Sequence, residues 1–282
     1  MSADILKFVI ELVSWQSVSS FLNSNFTAAL AGALAGALAA QKIGDRAKQQ
    51  DRLLKEIRIT NATITIAFTI CNSGIALKKQ FVKDIFETYT AKKAELEEFQ
   101  RRSAAGQPSV IPFTFQADLR TLQMPAVPID MLRTQVYESI SATGRPLALV
   151  AALVGAVASL ADTIHKRNSL IERFQREGTT NRDQVTAFYF GLPYGSGHVS
   201  TEFCDLVEAL YSLTDDVIFF SELLVKDLTA HGNCLLDQYK SISNVKKEKI
   251  FSVDFTDPFK QGLMPDEANY NDWLKGFPGV TR

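Results

Sequence analysis

Two histidines and two cysteines in the C-terminal half are of the residue types that bind zinc: His198, Cys204, His231 and Cys234. Their spacing argues against a shared metal ion, because the sequence predicts one long helix from about Ser200 to Ile242. On that helix Cys204 and His231 would lie roughly 40 Å apart, at about 1.5 Å per residue. The chain has three cysteines and no CxxC pair, so neither a zinc knuckle nor a disulfide framework is indicated. We therefore predict no bound metal.

Two Asp–His pairs have the spacing of neighbours on one helical face, which suits acid–base chemistry. Asp227 and His231 are four residues apart, and Asp162 and His165 are three residues apart. Neither pair has a candidate nucleophile nearby or a serine in a glycine elbow, so we interpret both as surface ion pairs. Three further carboxylates are interpreted as a solvated helix face or a helix-start signal: Asp215, Asp216 and Glu222.

A glycine-rich loop, GLPYGSG at residues 191–197, stands between a predicted strand and the long helix. This order resembles a turn that holds a phosphate, since backbone amides at a helix N-terminus attract anions. The candidate binding residues are Gly195, Gly197 and His198. The loop lacks the Lys and Ser/Thr of a P-loop, and no alternating series of strands and helices accompanies it. A plain turn is the alternative, and no cofactor is predicted.

The most informative segment is Phe26–Ala40, FTAALAGALAGALAA, which is small or apolar apart from Thr27. It lies in a charge-free gap between Glu11 and Lys42, long enough for the roughly 20 residues of a membrane-spanning helix. Four small residues recur at every fourth position and predict a face on which a second helix packs closely: Ala28, Gly32, Gly36 and Ala40. An Ala-rich helix inside a soluble bundle is the alternative.

Basic residues crowd the C-terminal side of this segment: Lys42, Arg46, Lys48, Arg52, Lys55 and Arg58. Before the segment, Lys7 is the only basic residue. The positive-inside rule then predicts an outer N-terminus and a cytoplasmic C-terminal domain, as in a single-pass protein of a bacterial inner membrane. Further upstream, Ala3–Trp15 has the pattern of an amphipathic helix, which lies either at a membrane surface or in a soluble core.

Beyond residue 45 the pattern is mainly helical, and prolines and glycines interrupt it at 103–128. Two further apolar runs are interpreted as helices of a bundle, with a membrane span as the alternative for each: 59–77 and 147–161. In the first run a polar stripe recurs at helical spacing, which favours contact with water on one side over contact with lipid all round.

Short strands are expected at three places: 110–115, 185–190 and 250–255. Near the C-terminus a short helix is expected from Pro265 to Gly276. The aromatic residues of this tail either bind a partner or pack back onto the bundle: Tyr270, Trp273 and Phe277.

Composition limits the class of function. Hydrophobic residues are 46% of the chain and charged residues 22%, which is typical of a folded protein and excludes wholesale disorder. A formal net charge of −1 gives no support for nucleic-acid binding, which needs a basic face or stripe.

The sequence thus predicts a mainly α protein, with an N-terminal single membrane-spanning helix and a cytoplasmic helical bundle containing a few short strands. The expected divisions are an amphipathic segment at 1–25, the span at 26–44 and the bundle at 45–282. The leading hypothesis is a non-enzymatic interaction or scaffold protein whose partners are the lipid bilayer and either another protein or a second copy bound through the span. The alternatives are a membrane-tethered enzyme or effector that binds a phosphate-bearing ligand at Gly191–His198, and a soluble helical bundle.

Overall fold

The computed structural model describes residues 25–107, 113–176, 182–243 and 247–278. Within these ranges the chain is mainly helical, which confirms the mainly α prediction. The helices are α1 (Asn25–Leu77), α2 (Lys83–Ala104), α3 (Ile129–Thr134), α4 (Arg145–Arg176), α5 (Arg182–Phe190), α6 (Glu202–Ile242), α7 (Thr256–Lys260) and α8 (Asn271–Gly276). Shorter turns complete them: π-helical turns at Lys78–Val82 and Gln135–Ser139, and a 3₁₀ turn at Glu267–Tyr270.

The chain divides into two compact units. The first unit is Met1–Lys55 with Gln238–Lys246, and the second is Glu56–Asp237 with Lys247–Arg282. Helices α1 and α6 contribute residues to both units, and the other helices belong to the second.

The C-terminal end of α6 is held by α1 within the first unit. Arg46 Nε donates to the carbonyl oxygen of Ile242 at 2.9 Å, and the Gln50 side-chain amide donates to the same oxygen. The last carbonyl groups of a helix have no partner within the helix, so these two bonds satisfy an acceptor that would otherwise depend on water.

The second unit is built around an apolar core to which α1, α2, α4, α5 and α6 contribute. Helix α4 lies within this core, and its buried apolar residues recur at helical spacing, among them Leu149, Leu153 and Leu160. Full burial of one leucine side chain contributes about 1.5–3 kcal/mol. The interpretation of 147–161 as a buried bundle helix agrees with this packing.

Helix α6 confirms the long helix that the sequence predicts from about Ser200 to Ile242. Its first turn carries Glu202 and Asp205, whose negative charges suit the N-terminal end of a helix dipole. Gly74 of α1 lets α6 come close, because a Cβ atom added at this glycine would lie 3.0 Å from Cγ1 of Ile218.

The chain between α2 and α3 forms no helix in its described part, as its prolines and glycines predicted. Two consecutive residues of α4 form hydrogen bonds with the backbone of this segment. Arg167, which is fully buried, donates to the carbonyl oxygens of Arg120 at 2.7 Å and of Asp118 at 3.4 Å. Asn168 donates to the Leu122 carbonyl at 2.6 Å and accepts the Leu122 N–H at 2.9 Å. This segment is therefore fixed to α4 by hydrogen bonds.

The predicted strand at 185–190 is wrong, because these residues belong to α5. Tyr189 and Phe190 are buried there, and packing of aromatic side chains outweighs the β propensity of the run. The stretch 250–255 also forms no strand: its Phe251 N–H donates to Oδ1 of Asn61 in α1, at 2.8 Å, instead of to another strand. Among the described residues, β-type pairing is limited to one antiparallel bridge, Tyr194 with His198.

Two predictions fall on residues outside the described ranges. One is the amphipathic helix at Ala3–Trp15. The other is the first part of the strand expected at 110–115, of which residues 113–115 are described and form no strand.

Candidate functional site

The Phe26–Ala40 segment lies in α1, and its described leucines face away from the core. Leu30, Leu34 and Leu38 are 50%, 58% and 67% exposed, and Ile43 just beyond them is 70% exposed. From Asn25 to Gln41 the helix has 17 residues without a charge. Such a helix rises about 26 Å, close to the roughly 30 Å hydrocarbon core of a bilayer. In this uncharged part of α1, every side chain that the structure describes is exposed.

The four predicted helix-packing residues follow one another along this part of α1. Gly32, Gly36 and Ala40 are exposed, and a Cβ atom added at Gly32 or Gly36 would meet no atom within 4 Å. Ala28 is helical in its backbone, and its side chain lies outside the described part. Within the described chain no second helix packs on these glycines, so close packing through them stays a prediction.

Two helical stretches are long and apolar enough to cross a membrane, Gly32–Ala104 and Arg145–Arg176. In each, 44% of an apolar window of 18 residues is buried. Among the described side chains of α1, the buried ones begin at Leu53, so the partly buried window of the first stretch lies beyond the Phe26–Ala40 segment. Both windows therefore have the burial of bundle helices, whereas the described side chains of residues 29–40 are exposed.

The described part of the first unit is strongly basic. Its six cations stand against two carboxylates, Asp45 and Asp51. The cations are all exposed: Lys42, Arg46, Lys48, Arg52, Lys55 and Lys240. Five of them come from α1 and the sixth comes from α6, which ends beside Arg46.

Two amides of the candidate phosphate-binding loop, those of Tyr194 and Gly197, bind carbonyl groups of the loop itself. Gly195 and Gly197 have φ angles of +61° and +90°, a region that favours glycine. The Tyr194 N–H donates to the His198 carbonyl at 3.0 Å, and the Gly197 N–H donates to the Tyr194 carbonyl at 3.3 Å. Helix α6 then opens with two carboxylates in its first turn, which disfavour an anion at that end. The structure thus brings the three candidates together in one turn. At the start of α6, the cation Arg173 is paired with the Glu202 carboxylate at 2.9 Å.

The zinc-type residues do not form a cluster. Cys204 and His231 lie on α6, as predicted, and His198 lies before it. Over the described ranges no three His, Cys, Asp or Glu side chains gather closely enough to hold a metal ion. Cys204 is buried and Cys234 is exposed, each as a free thiol.

The two Asp–His pairs predicted from helical spacing do not form. Asp227 instead binds Arg145 of α4 through two contacts, Nε to Oδ2 at 2.8 Å and Nη2 to Oδ1 at 2.5 Å. Asp162 pairs with Lys166 at 2.7 Å. The bidentate pair of Arg145 and Asp227 is charge-assisted and joins α4 to α6, so its role is in packing.

Glu56 is the centre of a small polar cluster in the second unit. It is 9% exposed and accepts hydrogen bonds from the Ser141 N–H at 2.8 Å and from the Ser141 hydroxyl. His231 Nε2 lies 3.4 Å from its Oε1. Burial alone would raise the pKa of Glu56. The bonds from Ser141 and the nearby His231 together lower it by more, so the pKa lies below its ordinary value. The hydroxyl meets the carboxylate directly, which differs from the Ser–His–acid order of a hydrolase.

The interpretation of Asp215 and Asp216 as a solvated face is wrong. Asp215 Oδ1 accepts from Nζ of the buried Lys78 at 2.5 Å, and Asp216 accepts from the Tyr270 hydroxyl at 2.9 Å. Burial raises the pKa of both carboxyl groups above the ordinary value of aspartate. They serve as half-buried links between α6 and its neighbours.

A cavity of about 390 Å³ opens in the second unit beside Glu222. Glu222 is 5% exposed, which contradicts its expected place on a solvated face, and it lies 2.7 Å from Lys226. The other walls combine aromatic and acidic residues, among them Phe219, Phe259, Asp266 and Glu267. Three carboxylates against one ammonium group make this cavity attractive to a cation.

The aromatic residues of the C-terminal tail pack back onto the bundle. Tyr270 stacks on Phe219 with ring centroids 3.7 Å apart, and the Trp273 ring lies 5.2 Å from Phe220. Phe277 lies 4.9 Å from Trp273. Of the two alternatives for this tail, the structure shows the packed one.

Three buried charged residues were not singled out from the sequence: Glu56, Lys78 and Arg167. For Arg167, the spacing of the apolar residues in α4 could have indicated that the side chain is buried. Arg167 stands three residues from Ile164 and three from Leu170, on the apolar stripe of α4. A charge at such a position is buried only with partners, which the sequence does not reveal.

No family model, curated protein or solved structure matches the chain.

Proposed function

We propose that this protein is anchored in a membrane through the Phe26–Ala40 segment and presents the second unit, in the cytoplasm, to a protein partner as a non-enzymatic interaction module. The carrying observation is the exposure of Leu30, Leu34 and Leu38 on an uncharged helix. Leucine gains about 1.5–3 kcal/mol on leaving water, and a bilayer supplies the apolar surroundings that the bundle does not.

The direction of the span follows from the charges around it. Exposed cations begin at Lys42, directly after the uncharged helix, and continue to Lys55. Positive residues stay on the cytoplasmic side of a membrane, so the second unit is assigned to the cytoplasm and the N-terminus to the opposite side.

Two features support a binding role for the second unit. Asp227, which first suggested acid–base chemistry, joins α6 to α4 through its bond with Arg145 instead. The acidic cavity, with Phe259 53% exposed, suits a partner that presents a basic side chain.

The anchor is tested by washing membranes with alkaline carbonate, which releases proteins that do not span the bilayer. We expect the full chain to stay in the membrane pellet and a chain starting at Asp45 to be soluble and folded. Recovery of the full chain in the wash would contradict both the proposed anchor and its proposed direction.

A matched set of variants separates a span from an exposed helix in water. Leu34→Asp with Leu38→Asp places two charges inside the proposed hydrocarbon region, each costing about 2.5–3.5 kcal/mol, and should release the protein. Ile43→Asp lies after Lys42 and should leave it in the pellet, although Ile43 is as exposed as the leucines. Equal behaviour of the two variants would contradict the proposal.

The partner is tested by photo-crosslinking from position 259 in native membranes. We expect an adduct of defined mass that Glu267→Lys abolishes and Glu138→Lys, at an exposed site on the π-helical turn after α3, leaves unchanged. An adduct insensitive to Glu267→Lys would argue against a basic partner group in the cavity.

A further inference from the structure

The described cations of the first unit differ from those of the second in having no carboxylate partner. In the second unit, lysines and arginines commonly lie within 4.0 Å of a carboxylate, as Lys78, Arg145 and Arg173 do. Over the described ranges, no ion pair or side-chain hydrogen bond engages the five cations Lys42, Lys48, Arg52, Lys55 and Lys240. Their charge is therefore free for a ligand from outside the chain.

This surface is assembled from two distant parts of the sequence. Arg46 and Gln50 both bind the carbonyl oxygen of Ile242, which brings the end of α6 against α1. Lys240 stands two residues before Ile242 and thus joins the cations of α1. The basic collar, defined as Lys42, Arg46, Lys48, Arg52, Lys55 and Lys240, follows directly on the exposed apolar helix.

The cations of the collar that belong to α1 lie at different distances from the end of the apolar segment. At about 1.5 Å per residue, Lys42 and Lys48 lie within roughly 12 Å of Ala40, and Lys55 lies roughly 22 Å from it. Lipid headgroups extend about 5–8 Å beyond the hydrocarbon core on each side, and the Debye length at physiological salt is about 8 Å. The first cations therefore reach headgroup phosphates, and the last ones sense them weakly.

We propose that the basic collar binds the headgroups of anionic phospholipids, so that the protein gathers such lipids around its anchor. This inference rests on the proposed function, since only a chain anchored through Phe26–Ala40 holds the collar at headgroup depth. Each basic residue close to an anionic surface contributes about 1 kcal/mol, which corresponds to about fivefold in lipid association.

The test uses the full chain reconstituted in phosphatidylcholine bilayers with a trace of spin-labelled lipid. Electron spin resonance gives the fraction of label immobilised at the protein, and we compare labelled phosphatidylglycerol with labelled phosphatidylcholine. We expect at least about fivefold stronger association of phosphatidylglycerol, reduced strongly at 0.5 M salt. Equal association of the two lipids would overturn the proposal.

Two double variants remove the same charge at different depths. Lys42→Gln with Lys48→Gln should abolish most of the preference, and Arg52→Gln with Lys55→Gln should retain most of it. Lys, Arg and Gln have similar helix propensities, so the helix is preserved, and circular dichroism verifies this. Equal losses in the two variants would contradict headgroup binding. Arg46 is left unchanged because it also holds Ile242.

The contribution from α6 has its own matched pair. Lys240→Gln should lower the preference measurably, and Lys260→Gln, an exposed lysine of the second unit, should not change it. If neither variant changes the lipid preference, only the cations of α1 bind headgroups, and the proposed contribution of Lys240 is wrong.

Two further experiments show whether the phosphate belongs to a lipid or to a free ligand, and whether a negative result contradicts the anchor or only the collar. Glycerol 3-phosphate at millimolar concentration should leave the lipid preference intact, and displacement by it would show a site for free phosphate instead of a headgroup. If the chain is released by carbonate and immobilises neither label, the anchor and the collar both fail. If it resists carbonate but shows no preference, only the collar fails.

Discussion

Buried charges are tied to particular neighbours in this protein, and Arg167 is the extreme case. Its side chain is fully buried and donates to two carbonyl oxygens of the segment between α2 and α3. It lies 5.9 Å from the Phe203 ring, which adds a cation–π contact. Removal of the arginine takes the donor from both carbonyl groups and leaves a space in the core where its side chain lay, so the loss exceeds that of an exposed hydrogen bond.

Arg167→Met should therefore lower the free energy of unfolding by about 2–4 kcal/mol, since the arginine stem is replaced and the two carbonyl groups lose their donor. Urea unfolding of the full chain in detergent, followed by circular dichroism, measures this. Arg173→Met on the same helix removes an exposed ion pair with Glu202 and should cost no more than about 0.5 kcal/mol. Similar losses for both would show that Arg167 has no special role.

Glu56 should make the stability of the second unit fall in acid. Its pKa is lower in the folded chain than its unfolded value of about 4.3, because Ser141 and His231 favour the carboxylate over the opposing effect of burial. The stabilisation is then fully present above that unfolded value and is lost as the pH falls through the folded pKa. Urea midpoints between pH 7 and pH 3 should decline less for Glu56→Gln than for the wild type. The exposed Glu138→Gln serves as control and should follow the wild-type curve; a Glu56→Gln curve parallel to it would contradict the expectation.

At the scale of elements, glycine contacts determine how closely segments approach. A Cβ atom at Gly232 of α6 would lie 2.9 Å from Cδ1 and 3.2 Å from Cγ1 of Ile250, so the segment after α6 rests directly on the helix backbone. At Gly155 of α4 the same atom would meet nothing within 4 Å.

Gly155→Ala should stabilise the protein by up to about 1 kcal/mol, because alanine is the better helix former and has free space there. Gly232→Ala should bring no gain or a loss, since the contact with Ile250 offsets the same helical advantage. Thermal unfolding of both variants measures the difference. A stabilising Gly232→Ala would show that Ile250 moves aside without cost.

The sequence predicts the elements better than it predicts their environment. Helix α6 and the break before α3 follow from apolar periodicity and from prolines, which act locally. Helix α5 was missed because burial of Tyr189 and Phe190 is a tertiary effect. The partners of Glu56 and Lys78 lie 85 and 137 residues away in the chain, so no local pattern identifies them. The exposed apolar segment was visible in the sequence, and the part of the collar contributed by α6 was not.

For the whole molecule, a native cysteine can report the direction of the proposed anchor. Cys234 is exposed, whereas Cys71 and Cys204 are buried, and burial raises the pKa of Cys71 to about 12 so that its thiol stays protonated. A membrane-impermeant maleimide should label Cys234 only after cells are permeabilised, because the second unit is assigned to the cytoplasm.

Two variants control that labelling. Cys234→Ser should lose the signal, which assigns it to the one reporter. Ser2→Cys in the Cys234→Ser background should be labelled in intact cells, since the N-terminus is assigned to the other side. Labelling of Cys234 in intact cells would reverse the assigned direction.

The bond from Arg46 to Ile242 forms only after the ribosome has synthesised both residues, which lie far apart in the sequence. The two residues are 196 positions apart, and a ribosome adding about 5–20 residues per second makes the acceptor roughly 10–40 s after the donor. The proposed anchor and its first cations are therefore synthesised well before the end of α6 exists. The first unit is consequently completed late in synthesis. If the proposed anchor is correct, a truncated chain that stops before α6 ends inserts into the membrane and still lacks the bond from Arg46 to Ile242.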